Sequence, residues 1–208
     1  MGFSITIIII VITTVFSMIA FSNRELFSRM LFNPYVIYES NQYYRFITYG
    51  LLHANWVHLL INMFVLYSFG DFVENAYIHF FPVLGRYYYI LLYIFGLVLS
   101  VVPSYSKHKN DQWYASVGAS GAVSAVIFSS IIINPFQGGI MIFPIPVTIS
   151  PVLFGILYLI YSAYMSKKGK DNTGHDAHFW GAVFGIVFTI ALRPAFVENF
   201  IRELSQIL

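Results

Sequence analysis

The sequence predicts an all-α membrane protein, a bundle of six transmembrane helices. Composition comes first. Of 208 residues, 58% are hydrophobic and 10% are charged, whereas a soluble domain carries about 25% charged residues. The mean hydropathy is +0.72. Patterning comes second: six long apolar stretches are separated by segments that hold nearly all the charge. None of the stretches alternates as a barrel strand does, and open sheets cannot cross lipid.

A hydrocarbon core about 30 Å thick needs roughly 20 helical residues. Residues 4–22 form the first stretch, uncharged and rich in isoleucine. Those β-branched residues do not argue for strand, because lipid forces the backbone to satisfy its own hydrogen bonds. No Lys or Arg precedes the stretch, and it is too long for a secretory signal core. Gly2 and Thr6 match a myristoylation pattern only loosely. The other stretches are 56–73, 87–102, 118–134, 140–165 and 177–193. Pro144, Pro146 and Pro151 predict an irregular or kinked start to the fifth.

The connections are 23–55, a long mixed first loop, then 74–86, 103–117, 135–139 and 166–176. No repeat or low-complexity segment interrupts them, so residues 1–208 read as one membrane domain. A net charge of +2 and the lack of a long basic run give no reason to expect nucleic acid. With no cysteine, disulfides and thiolate chemistry are excluded.

Polar side chains inside spans are costly and mark bundle interiors or functional cavities. Three clusters qualify. In His53-Ala-Asn-Trp-Val-His58-Leu-Leu-Ile-Asn62, His58 and Asn62 share one helical face. They read either as glue between helices or as donors aimed at a developing oxyanion. Gly118-Ala-Ser120-Gly121 opens the fourth stretch, with Ser120 either a helix cap or a nucleophile beside free N–H groups. His175-Asp-Ala-His178 precedes Gly181 and Gly185, a small-residue seam. That seam presents His178 to a neighbouring helix, as a packing histidine or as a base. Together they assemble a nucleophile, a base and oxyanion donors, a complete set for acyl transfer. Asp176 is two residues from His178 and points elsewhere on a helix, so a Ser–His dyad fits better than a triad.

The sequence resembles the rhomboid family of intramembrane serine proteases. The resemblance runs from Phe32 to Gly185. It is carried by Asn33-Pro34-Tyr35, Tyr44-Arg45, His53, His58, Asn62-Met63, Gly70, Glu74, Gly118-Ala-Ser120-Gly121, Ala177-His178, Gly181 and Gly185. It implies a six-helix fold with a water-filled cavity below the membrane surface. Ser120 would be the nucleophile and His178 the general base and then acid. His58, Asn62 and the Ser120 N–H would form the oxyanion hole. Gly118, Gly121, Gly181 and Gly185 would serve close packing, with Arg45, Glu74 and His53 structural, Arg45 and Glu74 in and beneath the first loop.

The chain departs from the family pattern at Ser124. Many rhomboids have an aromatic there that packs on the histidine, and Phe179, Trp180 or Tyr114 are the candidates to replace it. Family placement puts the N-terminus in the cytoplasm and the first, third and fifth loops outside. Those loops hold most of the Lys and Arg, against the positive-inside rule.

The resemblance implies transmembrane protein substrates, the lipid bilayer as surroundings, and a bacterial inner (plasma) membrane location. The alternative is a non-catalytic rhomboid-like protein that binds membrane clients, although both Ser120 and His178 are kept. A metalloprotease would need His-Glu-x-x-His, and an aspartyl enzyme would need two aspartates in separate spans; the sequence has neither. The spread of His53, His58, His175 and His178 disfavours zinc. No internal repeat favours a transporter. No metal, nucleotide or other cofactor is called for.

Overall fold

A computed structural model describes residues 4–136, 138–141, 147–168 and 174–205. Gly2, Pro144, Pro146 and Lys170 lie outside the described residues.

The protein is mainly helical. Helix α1 is Ile5–Ser22. Three short helices follow, α2 (Arg24–Met30), α3 (Pro34–Ser40) and α4 (Arg45–Thr48), with a 3-10 turn at Tyr49–Leu51. Then come α5 (Trp56–Phe80), α6 (Gly85–His108) and α7 (Ser120–Ile133). A two-stranded antiparallel ribbon, β1 (Ile140–Met141) with β2 (Thr148–Ile149), leads to α8 (Pro151–Lys168). Helices α9 (His175–Leu192) and α10 (Ala195–Ser205) complete the chain.

Among the described residues four helices, α1, α5, α6 and α9, are long and apolar enough to cross a membrane. Helix α7 has 14 residues, about 21 Å at the usual rise, so alone it falls short of the hydrocarbon core. It is the hub instead: α5, α6, α8 and α9 all pack on it, and every residue from 121 to 130 is buried.

The helices begin where local chemistry allows. Ser4, Asn23, Asn33 and Asn55 each accept a hydrogen bond from a backbone N–H of the following turn. Such caps satisfy donors that the helix leaves unpaired. Pro34 stands at the start of α3, where its missing N–H costs nothing.

Three boundaries differ from the sequence expectation. The stretch 140–165 is not helical from its start. Residues 140–141 and 148–149 pair as a ribbon, and the helix begins at Pro151. The fixed φ of Pro151 suits a first helical turn, and its ring bars a helix from continuing through it. Helix α6 runs through Pro103 to His108 rather than stopping at 102. Proline is tolerated in such a helix when its neighbours hold both halves, and α7 and α9 pack on α6. Finally, α5 continues to Phe80 rather than stopping at 73, so Glu74 lies within a helix and not in the expected 74–86 connection.

Two buried charged residues fasten this frame. The Arg45 guanidinium donates to the carbonyls of Ser28 (2.9 Å) and Leu31 (2.7 Å) and to Gln42 Oε1 (2.8 Å), gathering the first loop around it. Glu74 stands far from that loop, at the other end of the bundle. Its carboxylate accepts from the backbone N–H groups of Ile5 (2.8 Å) and Thr6 (2.9 Å) and from the hydroxyls of Ser4 and Thr6 (both 2.9 Å). An anion at a helix N-terminus neutralises its unpaired donors and its dipole.

Candidate active site

A cavity of about 850 Å³ opens between α5 and α8, with the start of α7 at its side. Ser120, His178, His58 and Asn62 all line it, together with Gly118, Ser124, Tyr158 and the ribbon residues Ile140 and Met141.

Ser120 is the first residue of α7. Ala119 holds the cap position and no side chain caps the helix, so Ser120 is not a capping serine. The first N–H groups of α7 are therefore open to a ligand. The approach to Ser120 is fixed from two directions. Phe32 and Ser116 exchange backbone hydrogen bonds (3.0 and 2.9 Å), and the Gly118 N–H donates to the Tyr49 carbonyl (3.1 Å). Gly118 has φ of +121°, a conformation in which L side chains are strained. A Cβ there would also lie 2.8 Å from the His58 imidazole. The glycine is thus required both by its backbone and by the histidine above it.

His178 sits in the first turn of α9, which meets α7 backbone to backbone. A Cβ on Gly181 would overlap the Gly121 carbonyl oxygen, and one on Gly185 would overlap that of Ala125. Gly121 is pressed on its other side by Ser100 of α6. This seam brings α9 against α7 and sets His178 in the same cavity wall as Ser120. Among the described residues no hydrogen bond joins Ser120 to His178; in ligand-free sites such bonds are often long and tighten only around substrate.

From α5, the His58 N–H donates to Asn55 Oδ1 (2.9 Å), while its Nδ1 accepts weakly from the Ala54 N–H (3.4 Å). One Nδ2 hydrogen of Asn62 is committed to the His58 carbonyl (2.9 Å). The amide keeps a second hydrogen for the cavity. His53 is fully buried, its ring edge-on to His58 with centroids 4.9 Å apart. Asp176 does not turn toward His178. It accepts from the Ser166 hydroxyl and lies 3.7 Å from Lys107 Nζ, tying α9 to α8 and α6. Among the described residues no three His, Asp or Glu side chains come together as a metal site.

Sequence reasoning missed Tyr158. Its ring lies beside the His178 imidazole, centroids 6.1 Å apart and planes inclined by 32°. Phe179 and Trp180 instead pack on each other, and Tyr114 stacks on His108 at 3.9 Å. A signal for Tyr158 existed in the sequence. Pro151, Gly155 and Ser162 mark the inward face of α8, and Tyr158 is three residues from one and four from another, on that same face.

A family model, the rhomboid domain, matches residues 40–195. Rhomboid-like protein 11, chloroplastic, of Arabidopsis thaliana is 29% identical over 164 residues, covering 74% of this chain and 54% of that protein. The presenilin-associated rhomboid-like protein, mitochondrial, of Mus musculus is 30% identical over 138 residues, covering 64% of this chain and 34% of that protein. RHOMBOID-like protein 12, mitochondrial, of Arabidopsis thaliana is 23% identical over 171 residues, covering 75% and 48%. The chain thus spans between 34% and 54% of the length of these relatives. Their names are those of organelle proteins and lend no support to a bacterial inner membrane; the statement that stands is a multi-pass membrane protein.

Proposed function

This chain belongs to the rhomboid family, and we propose on that footing that it is an intramembrane serine endopeptidase working through a Ser120–His178 dyad. In this reading α1, α5, α6, α7, α8 and α9 are the six membrane helices of one rhomboid-type domain, the short α7 enclosed by the others rather than crossing a full thickness of lipid on its own. Both termini lie on the membrane face opposite the first, third and fifth loops. Reporters fused before Met1 and after Leu208 should read the same side; opposite readings would overturn the six-span topology.

One observation supports the reading most: a serine at an uncapped helix start and a histidine from another helix line one cavity, across a seam that admits no side chain. His58 and Asn62 line the same cavity from α5.

The chemistry follows from the atoms available. A segment of a transmembrane substrate unwinds at the cavity, exposing a peptide carbonyl. Ser120 Oγ attacks that carbon while His178 takes the hydroxyl proton. Negative charge develops on the carbonyl oxygen, where the Ser120 N–H, His58 and the free Asn62 N–H donate to it; one such donor is worth about 3 kcal/mol in the barrier. His178 then protonates the leaving amine, and water, deprotonated by the same imidazole, releases the acyl group. Substrates are membrane proteins and the surroundings are lipid; the reaction needs no cofactor.

The test is labelling of the purified, detergent-solubilised protein by a fluorophosphonate, which modifies an activated serine. Labelling should vanish in both Ser120→Ala and His178→Ala while folding and membrane insertion persist. Labelling that survives in Ser120→Ala would refute the nucleophile. A folded wild-type protein that never labels would favour the non-catalytic client binder.

A further inference from the structure

We propose that Tyr158 is a positioning residue for His178, locked in place by a hydrogen bond to Ser124, so that the base is aligned only while α8 is docked on α7. The proposal rests on the reading of Ser120 and His178 as the dyad.

The geometry is a three-part contact. On α8, the Tyr158 ring lies at 6.1 Å and 32° from the His178 ring, within the range of favourable aromatic pairs. Its other surroundings are Phe128 at 5.6 Å and Phe154 at 5.7 Å, which leave the ring little freedom to rotate away. At the far end, the hydroxyl and Ser124 Oγ are 2.6 Å apart, a short bond at a serine that is 1% exposed. Ser124 lies one helical turn after Ser120 on the same face of α7. A single tyrosine therefore spans from the helix of the nucleophile to the imidazole of the base.

Ser124 and Gly155 are what make this possible. A larger side chain at 124 would fill the space the Tyr158 hydroxyl occupies. At Gly155, one turn earlier on α8, a Cβ would lie 3.1 Å from Ile131 Cδ1 and 3.3 Å from Phe128 Cε1. The glycine lets α8 approach α7 closely enough for the hydroxyl to reach Ser124. The same distances mean that moving α8 outward withdraws the ring from His178. Among the described residues α8 packs chiefly on α9 and more lightly on α7, so its approach to α7 depends on few contacts.

The experiment measures fluorophosphonate inactivation of the purified protein, separating the maximal rate from the half-saturating concentration. Variants are Tyr158→Phe, Ser124→Ala, their combination, and Tyr158→Leu. Losing the hydrogen bond should slow the maximal rate about three- to tenfold in either single variant. The half-saturating concentration should stay unchanged. The double variant should be no slower than either single one, because both remove one shared bond. Tyr158→Leu, which also removes the ring, should be slower than Tyr158→Phe. Melting temperatures within the wild-type range would show that the rates report alignment rather than unfolding. If the wild type labels through Ser120 and the four variants all keep its rate, Tyr158 does not position the base, and the dyad reading stands. If the wild type does not label, or labels without Ser120, both readings fall.

Discussion

Gly181 and Gly121 meet with no room for a methyl group between them: a Cβ on Gly181 would overlap the Gly121 carbonyl oxygen. The obstruction is helix backbone, which cannot swing aside as a flexible side chain can. Gly181→Ala should therefore force α9 off α7 and destabilise the protein by about 1–3 kcal/mol, the usual cost of overpacking. Val187→Ala is the control, since that side chain lies on the exposed face of the same helix, 60% exposed. Thermal melting in detergent should fall for the first and hold for the second. Equal melting temperatures would remove the seam as a determinant of the fold.

At the other end of the bundle, Glu74 gathers four donors from the first turn of α1. Glu74→Gln keeps the shape but replaces one acceptor oxygen by a donor and deletes the charge. Hydrogen bonds to a charged group are worth about 1.5–3 kcal/mol each. The loss should reach at least the upper part of that range, because the Ile5 and Thr6 N–H groups are left partly unpaired. The check is chemical unfolding of purified protein alongside Glu74→Asp. A wild-type midpoint for Glu74→Gln would mean that the charge does not hold α1.

Much of this frame was legible in the sequence, and the reasons are specific. The uncharged run of α1 and the apolar faces of α5, α6 and α9 signal membrane helices by length alone. Ser120, His178, His58 and Asn62 stand out because each is a polar side chain in an apolar segment, and the fold brings all four to one cavity. Tyr158 had no such contrast: it was marked only by sharing a helix face with Gly155 and Ser162, and its partner Ser124 is 34 residues away. The ribbon of Ile140–Met141 with Thr148–Ile149 was hidden for a similar reason, since a short apolar strand and a buried helix share the same composition. Pro103 misled in the opposite direction, because packing against α7 and α9 overrides its local preference. Glu74 could be recognised as structural, but its partners on α1 could not be read from spacing.

Arg45 organises the first loop by donating to two backbone carbonyls and one side-chain oxygen while 6% exposed. A lysine carries the charge but not the planar fork that reaches separate acceptors. The Ser28 and Leu31 carbonyls share Nη1, which one ammonium can replace, but the separate Nε donor to Gln42 has no counterpart in lysine, so Arg45→Lys should lose that bond, at about 1–3 kcal/mol. The effect should be local, so limited proteolysis within residues 31–44 should accelerate more than cleavage elsewhere. Uniform susceptibility along the chain would show that Arg45 does not secure this loop in particular.

His53 makes stability depend on pH, and its hydrogen bonds fix the sign. The Ser17 hydroxyl lies 2.8 Å from the Leu51 carbonyl and 3.0 Å from His53 Nδ1. A carbonyl only accepts, so the single Ser17 proton goes to Leu51, and His53 Nδ1–H donates to the Ser17 oxygen. The bare nitrogen is then Nε2, buried without a hydrogen-bond partner among the described residues. Adding a proton there creates a cation with nothing to receive its hydrogen. Burial first, and the neighbouring His58 second, push the imidazole down to about 3. In the unfolded chain it titrates near the usual value of about 6.5. Between those values the unfolded state binds a proton that the folded state refuses. The stabilisation is thus complete above about pH 6.5 and is lost as pH falls toward 3, by up to about 1.4 kcal/mol per pH unit. His53→Asn has no such group. Unfolding free energies measured between about pH 7.5 and pH 5 should decline more steeply for the wild type than for this variant. Parallel slopes would show that His53 is not the buried neutral imidazole described here.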